Sequence, residues 1–303
     1  MRNPRVPIQA PHNPALSQTY QPYCAAISMT FKRQFLQSVA ALSVGLFLSG
    51  CGKAPPAPVA VQPGASAAAA PIPSPAAKVI TVGTDPTYAP FEFQNEKGEI
   101  VGFDIEVLTA ALHKAGLEVK FVSTPWEGAF NALAQGDRDV LVSAVTITDE
   151  RKQTMDFSDP YFEASQLIVV PAKSTVTKLG DLQKKKIGVQ TSTTGEEVVV
   201  KLQGKTSSNI KRFESTPLAL AELAAGGVDA VVADNGVVTH YLANNPAAGF
   251  KSISDAGFAP EFYGVVVKKG NTELLAQINK GLADIKADGS YQTIHDHYFK
   301  SAK

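Results

Sequence analysis

The sequence predicts an α/β protein made of two similar lobes. Three observations carry that prediction. From Val79 onward, short apolar strands alternate with amphipathic helices, the pattern of parallel βαβ units. Part of the pattern then recurs, because "ALAQGDRDVLV" (132–142) and "ELAAGGVDAVV" (222–232) share a helix end, a glycine, an aspartate and a buried strand. Finally, the 303 residues are 44% hydrophobic and 18% charged with zero formal net charge, enough for one or two cored domains. That neutrality argues against a nucleic-acid partner.

The first seventy-eight residues do not read as part of the core. Residues 1–28 hold five prolines and Cys24 and carry no export feature, so Met29 is expected to be the true start and the upstream stretch artefactual. Residues 29–50 have a basic start at Lys32 and Arg33, an apolar run from Phe35 to Leu48, and small residues at the end. This is the layout of a secretory signal, and the run is too short for a membrane span. The ending Leu48-Ser49-Gly50-Cys51 resembles the bacterial lipobox, which implies a diacylated Cys51 as mature N-terminus. Cys51 would then be the only cysteine left, so no disulfide is expected. Residues 51–78, almost all Ala, Pro, Gly, Ser and Val, read as an extended tether to a membrane.

In the body of the chain, "VITVG" (79–83) reads as the first strand. The helix after it has Ile105, Leu108 and Leu112 on one face and Gly116 as its stop. "VKFVS" is a second strand, "WEGAFNALAQG" a helix with Phe130 and Leu133 inward, and "DVLVSAV" (139–145) a third strand. The second unit repeats the theme with "KKIGVQTSTTGEEVVVKL" (185–202). "FYGVVVKKG" (262–270) is a further strand, Asn271 caps a helix with Leu274, Ile278, Leu282 and Ile285 inward, and Ser290 starts a last short helix.

Where the third strand ends, "VTITDERKQ" offers hydroxyls and then Arg151. The plain reading is a surface helix capped by Thr148 with Arg151 solvated. An arginine at a helix start opposes the helix dipole, however, which suggests that an anion is expected nearby.

Four blocks in order, "GTDPTYAPFEF" (83–93), "GFDIEV" (102–107), "TITDERKQTMDFSDPYF" (146–162) and "GVQTSTTGE" (188–196), resemble the periplasmic polar amino-acid-binding proteins of ABC importers, solute-binding protein family 3. The resemblance covers roughly residues 79–300. It implies a two-lobed periplasmic-binding-protein (Venus flytrap) fold with two hinge strands. Lobe one would comprise 79–163 and 263–303, and lobe two 164–262. Arg151 would grip the ligand carboxylate as a bidentate fork, helped by backbone N–H groups at helix starts around Thr146 and Thr194. Asp234 would accept from the α-ammonium, its plainer alternative being a helix cap. Ser143 and the Ala144 backbone would touch the same head group. Tyr88 and Trp126 would wall the ligand side chain. Asp85 matches the acid that faces the distal cation in the basic-amino-acid binders, but the glutamine binder also carries an acid there, so Asp85 permits a cation without demanding one. Gln190, standing where the glutamine-binding pattern has lysine, favours a cationic side chain. The expected ligand is a free L-amino acid, basic (Arg, Lys or His) before glutamine or another polar one. The expected partner is an inner-membrane ABC permease, and the expected state a lipid-anchored monomer in the cell envelope.

Other signals lead elsewhere less well. His295 and His297 lie two apart on a helix and point away from each other, so no metal is expected, and no cofactor motif is present. Lys184 to Lys186 read as the exposed entrance to a strand. The enzyme alternative is a periplasmic cyclohexadienyl or arogenate dehydratase on the same fold, with Asp85, or Glu92 if it faces the cleft, as proton donor. A non-enzymatic binder is the expectation.

Overall fold

The computed structural model describes residues 79–300. The expectations for the signal segment, Cys51 and the tether lie outside them.

Two five-stranded sheets organise the described residues, and they share one strand order. In the first, Glu118–Ser123, Val79–Thr84 and Val140–Leu141 run parallel. Val266–Lys268 then joins antiparallel and is followed by Met155–Phe157. In the second, Ile210–Phe213, Ile187–Gln190 and Ala230–Asp234 run parallel, then Gln166–Pro171 joins antiparallel with Phe250–Ile253 beyond it. The sequence repeat is thus a repeat of topology. In each sheet the first strand lies between the second and the third, so strand order reverses there and opens a crevice at the strand C-termini.

The helices bury the faces their spacing assigns. Phe103–Lys114 buries Leu108 and Leu112, and Thr272–Ala287 buries Leu274, Ile278, Leu282 and Ile285. These two helices pack so closely that a Cβ on Gly281 would come within 2.1 Å of the Ala111 carbonyl oxygen. Leu133 is buried as expected, but Phe130 is only partly so, for a reason that lies in the site.

The chain passes between the sheets through two short antiparallel strands, Phe162–Ala164 and Glu261–Tyr263. Phe162 and Tyr263 stack at 5.5 Å, and Phe91 packs edge-on against both. The crossing strands therefore rest on an aromatic cluster, with ring pairs adding about 0.5–1.5 kcal/mol each beyond simple burial.

Two strand expectations are shortened. Of 139–145 only Val140–Leu141 pairs in the sheet, because Ala144 adopts a left-handed φ of 45° and turns the chain out toward the crevice. The expected strand over 262–270 is two, Glu261–Tyr263 in the crossing and Val266–Lys268 in the sheet.

Candidate functional site

All ten sequence-predicted ligand residues line one cavity between the lobes, together with Glu92 and Thr193. The topology explains the gathering. Asp85 follows the first strand of one sheet and Gln190 ends its counterpart in the other, while Ser143 and Asp234 stand at the ends of the two third strands.

At one end lies Arg151. It begins a single turn, Arg151–Thr154, and its N–H donates to the Thr148 hydroxyl at 3.2 Å, so Thr148 does act as a cap. The guanidinium is only partly solvated, since Arg151 is half-buried. It lies 5.4 Å from the ring centres of both Trp126 and Phe130, which explains the partial exposure of Phe130. It donates to the Thr146 carbonyl at 2.8 Å and, across the lobes, to the Ser192 carbonyl at 3.1 Å. Burial lowers its pKa, and among the described residues no carboxylate stands within ion-pair distance of it. A guanidinium stays charged even so. The arrangement is a partly desolvated cation with donors to spare, since a guanidinium has five N–H groups.

Thr194 opens the helix Thr194–Gln203 beside it, so its N–H is one of the unsatisfied donors of a helix start. Thr146 corrects the expectation. It sits at no helix start but in an extended bridge with Tyr263, and the bridge bonds are made by its neighbours Ile147 and Gly264. Its own N–H is unpaired among the described residues.

Asp234 occupies the position before the helix Asn235–Asn244, yet its side chain makes no capping bond. The capping alternative fails because the carboxylate is engaged elsewhere, accepting from Gln166 Nε2 and the Tyr263 hydroxyl. Burial, reinforced by the charge of Glu261, pushes its pKa up to about 6.

The other acids line the far end. Asp85 accepts from the Thr87 hydroxyl at 3.0 Å and from the Trp126 N–H at 3.2 Å, so it caps the helix Trp126–Gln135 across space. Burial raises its pKa. Its own N–H donates to the Ser143 hydroxyl, which donates in turn to Glu92. Glu92 is fully buried, and one of its oxygens has no partner. Behind it Asp104 accepts from the Ala144 N–H and the Tyr161 hydroxyl, both at 2.7 Å. Burial raises both carboxyls, Glu92 further through the charge of Asp104, and Asp104 to about 6. Two neighbouring buried carboxyls resist ionising together.

The remaining predicted residues have additional tasks. Trp126 Nε1 donates to the Thr191 carbonyl of the other lobe at 3.1 Å, and its ring serves Arg151 as well as the cavity wall. Tyr88 stacks on Phe91. The Gln190 amide is tied to the Glu214 carbonyl and the Thr216 hydroxyl. Sequence reasoning considered Glu92 only as an acid catalyst and missed Gln166, Glu261 and Phe130. The charged residue flanked by phenylalanines in "PFEF" was the available signal for Glu92. Among the described residues no cluster of metal-ligating side chains occurs, and no helix is long and apolar enough to cross a membrane.

Two α/β lobes closed over a charged cavity define a solute-binding architecture. The chain belongs to the bacterial extracellular solute-binding proteins, family 3, whose model matches residues 80–301. It is 42% identical over 233 residues to the "Probable histidine-binding protein" of Neisseria gonorrhoeae, covering 77% of this chain and 87% of that one. Among solved structures it is similar to the arginine-, lysine-, histidine-binding protein ArtJ of Geobacillus stearothermophilus. That likeness has a TM-score of 0.72 at 44% identity over 75% of this chain and 97% of that one. It is also similar to AncCDT-1, an ancestral amino-acid-binding protein and precursor of cyclohexadienyl dehydratase, with a TM-score of 0.67 at 35% identity over 73% and 95% of the two chains.

Proposed function

We propose that this protein captures a free, basic L-amino acid between its lobes and hands it to an ABC permease, held to the membrane by lipid on Cys51. The observation that carries the reading is the separation of charge in one cavity. A half-buried guanidinium without an acid partner faces Asp234, and beyond them stand Asp85 and Glu92. An α-carboxylate fits the first, an α-ammonium the second, and a cationic side chain Asp85, with Glu92 as a neighbouring hydrogen-bond acceptor. The names of the relatives support the same ligand class. Ligand contacts to both lobes at once would stabilise the closed arrangement by differential affinity. A thermal-shift screen against the twenty standard amino acids, followed by calorimetry, tests the reading. Arginine, lysine or histidine should give the largest shift, and no shift with any of them would end it.

A second reading, dehydration of a cyclohexadienyl substrate, is favoured by one observation only: Glu92 lines the cavity and burial raises its pKa, which suits a proton donor to a leaving hydroxyl. Turnover of arogenate or prephenate would support it. Tight basic amino-acid binding without turnover supports the transport reading and a non-enzymatic role.

A further inference from the structure

The second crossing strand carries Glu261, which neither lines the cavity nor pairs with a cation, yet three donors from different parts of the molecule converge on it. Its Oε2 accepts from the Thr146 hydroxyl at 2.9 Å and from the Thr194 hydroxyl at 2.7 Å. Its Oε1 accepts from Gln166 Nε2 at 2.9 Å. Thr146 follows the third strand of the first lobe, and Thr194 opens a helix of the second. Convergence of donors is the pattern of an ionised carboxylate, which can only accept. The orientation of Gln166 follows, since its amide nitrogen faces two carboxylates, Glu261 and Asp234.

A hydroxyl has one proton. With both threonine protons directed at Glu261, neither side chain can donate to an anion in the cavity, whereas the Thr146 and Thr194 N–H groups remain unpaired among the described residues. Opening the lobes must also break at least one of these bonds, because their donors separate while Glu261 stays on the crossing strand.

We infer that Glu261 is a positioning residue of the amino-acid site and the clamp of its closed state. It fixes Thr146 and Thr194 through their hydroxyls so that their backbone N–H groups, with Arg151, meet the ligand carboxylate. The N–H part of this inference rests on the function proposed above; the clamp does not.

The test is a double-mutant cycle read as the arginine dissociation rate, with the interlobe distance followed by paired spin labels, one on each lobe. Bonds to a charged acceptor are strong, so Glu261→Ala should speed dissociation about 10- to 100-fold and lengthen the distance. Thr146→Val and Thr194→Val should each speed dissociation in the wild-type background and add nothing once Glu261 is alanine, the signature of a shared interaction. Equal effects in both backgrounds would mean that the hydroxyls reach the ligand directly, and would overturn the inference. So would unchanged dissociation and distance in Glu261→Ala. Should that variant fail to fold, Glu261→Gln keeps the shape, removes the charge and enters the same cycle. If the wild type binds no amino acid, the distance alone decides: a longer distance in the variant upholds the clamp and sinks only the ligand class, and an unchanged one overturns the clamp.

Discussion

Replacing Arg151 by methionine keeps an alkyl stem between Trp126 and Phe130 and removes only the charge and its donors. Two of the five N–H groups are engaged by the Thr146 and Ser192 carbonyls, so a carboxylate in the cavity would still meet a fork. Each charge-assisted bond is worth about 1.5–3 kcal/mol, so losing a bidentate pair costs ~3–6 kcal/mol. At about 1.4 kcal/mol per decade, arginine should bind at least a hundredfold more weakly. The folded protein should hardly notice. Burial already disfavours the charged group, and that penalty offsets the two ring contacts, worth roughly 0.5–2 kcal/mol each, and two carbonyl bonds. The ligand-free melting temperature should therefore move by less than about 4 °C, since 1 kcal/mol shifts a domain of this size by about 2–4 °C. Calorimetry and thermal melts with and without arginine measure both quantities. Binding within tenfold of wild type would refute the reasoning, because the half-buried cation would then have no role in recognition.

Further outcomes follow from the same geometry. Asp85→Asn should lower the preference for arginine over glutamine at least about tenfold in competition calorimetry, equivalent to ~1.4 kcal/mol, while glutamine affinity changes little. An α-ammonium needs Asp234 ionised, so with its pKa at about 6 in the closed protein, affinity should be flat above neutrality. Below that value it should fall by up to about tenfold per pH unit for each proton displaced. The Glu92–Asp104 pair has raised folded pKa values, so it contributes stability at acid pH that is lost as pH rises through about 6. Denaturant titrations of Glu92→Gln between pH 5 and 7 should show a flatter pH dependence than wild type. Metabolic labelling with a fatty acid should mark the wild type and not Cys51→Ala.

The sequence could be read where the physics is local. Helical faces such as Leu274, Ile278, Leu282 and Ile285 follow from spacing alone. The cavity residues Asp85, Gln190 and Asp234 were legible only through the family resemblance of their blocks; the structure adds the physical reason they meet, since parallel strands bring their C-terminal ends to one crevice. Less legible were groups whose meaning depends on a distant partner. Glu261 meets Thr146 across 115 positions and Gln166 across 95, and no window of sequence joins them. Thr146 was misplaced at a helix start because "TITDERKQ" has the composition of a cap, whereas pairing of its neighbours with the second crossing strand keeps it extended. The turn at Ala144 was invisible for the opposite reason. Alanine seldom takes a left-handed conformation, and here Asp104 holds its N–H.

The charges around the cavity bear on the ligand more sharply than any single residue. Among the groups that line the cavity, Arg151 supplies one positive charge, and Asp85 and Asp234 supply two negative ones when ionised. Glu261 lies behind them with its carboxylate bound by Thr146, Thr194 and Gln166. Burial disfavours charge on the Glu92–Asp104 pair, and Asp104 already accepts from the Ala144 N–H and the Tyr161 hydroxyl, so the pair is answered from within the protein. An amino acid with a neutral side chain brings no net charge and would leave one buried carboxylate with hydrogen bonds but no counter-charge. One with a cationic side chain brings a single positive charge and balances the set. A buried, unpaired charge is costly, whereas one that meets its opposite with hydrogen bonds is tolerated. The count therefore favours arginine, lysine or protonated histidine over glutamine before any shape is considered. It also gives Asp85 a second reason to stand where it does, since the Trp126 N–H that holds it keeps the carboxylate in place when no ligand is there to neutralise it.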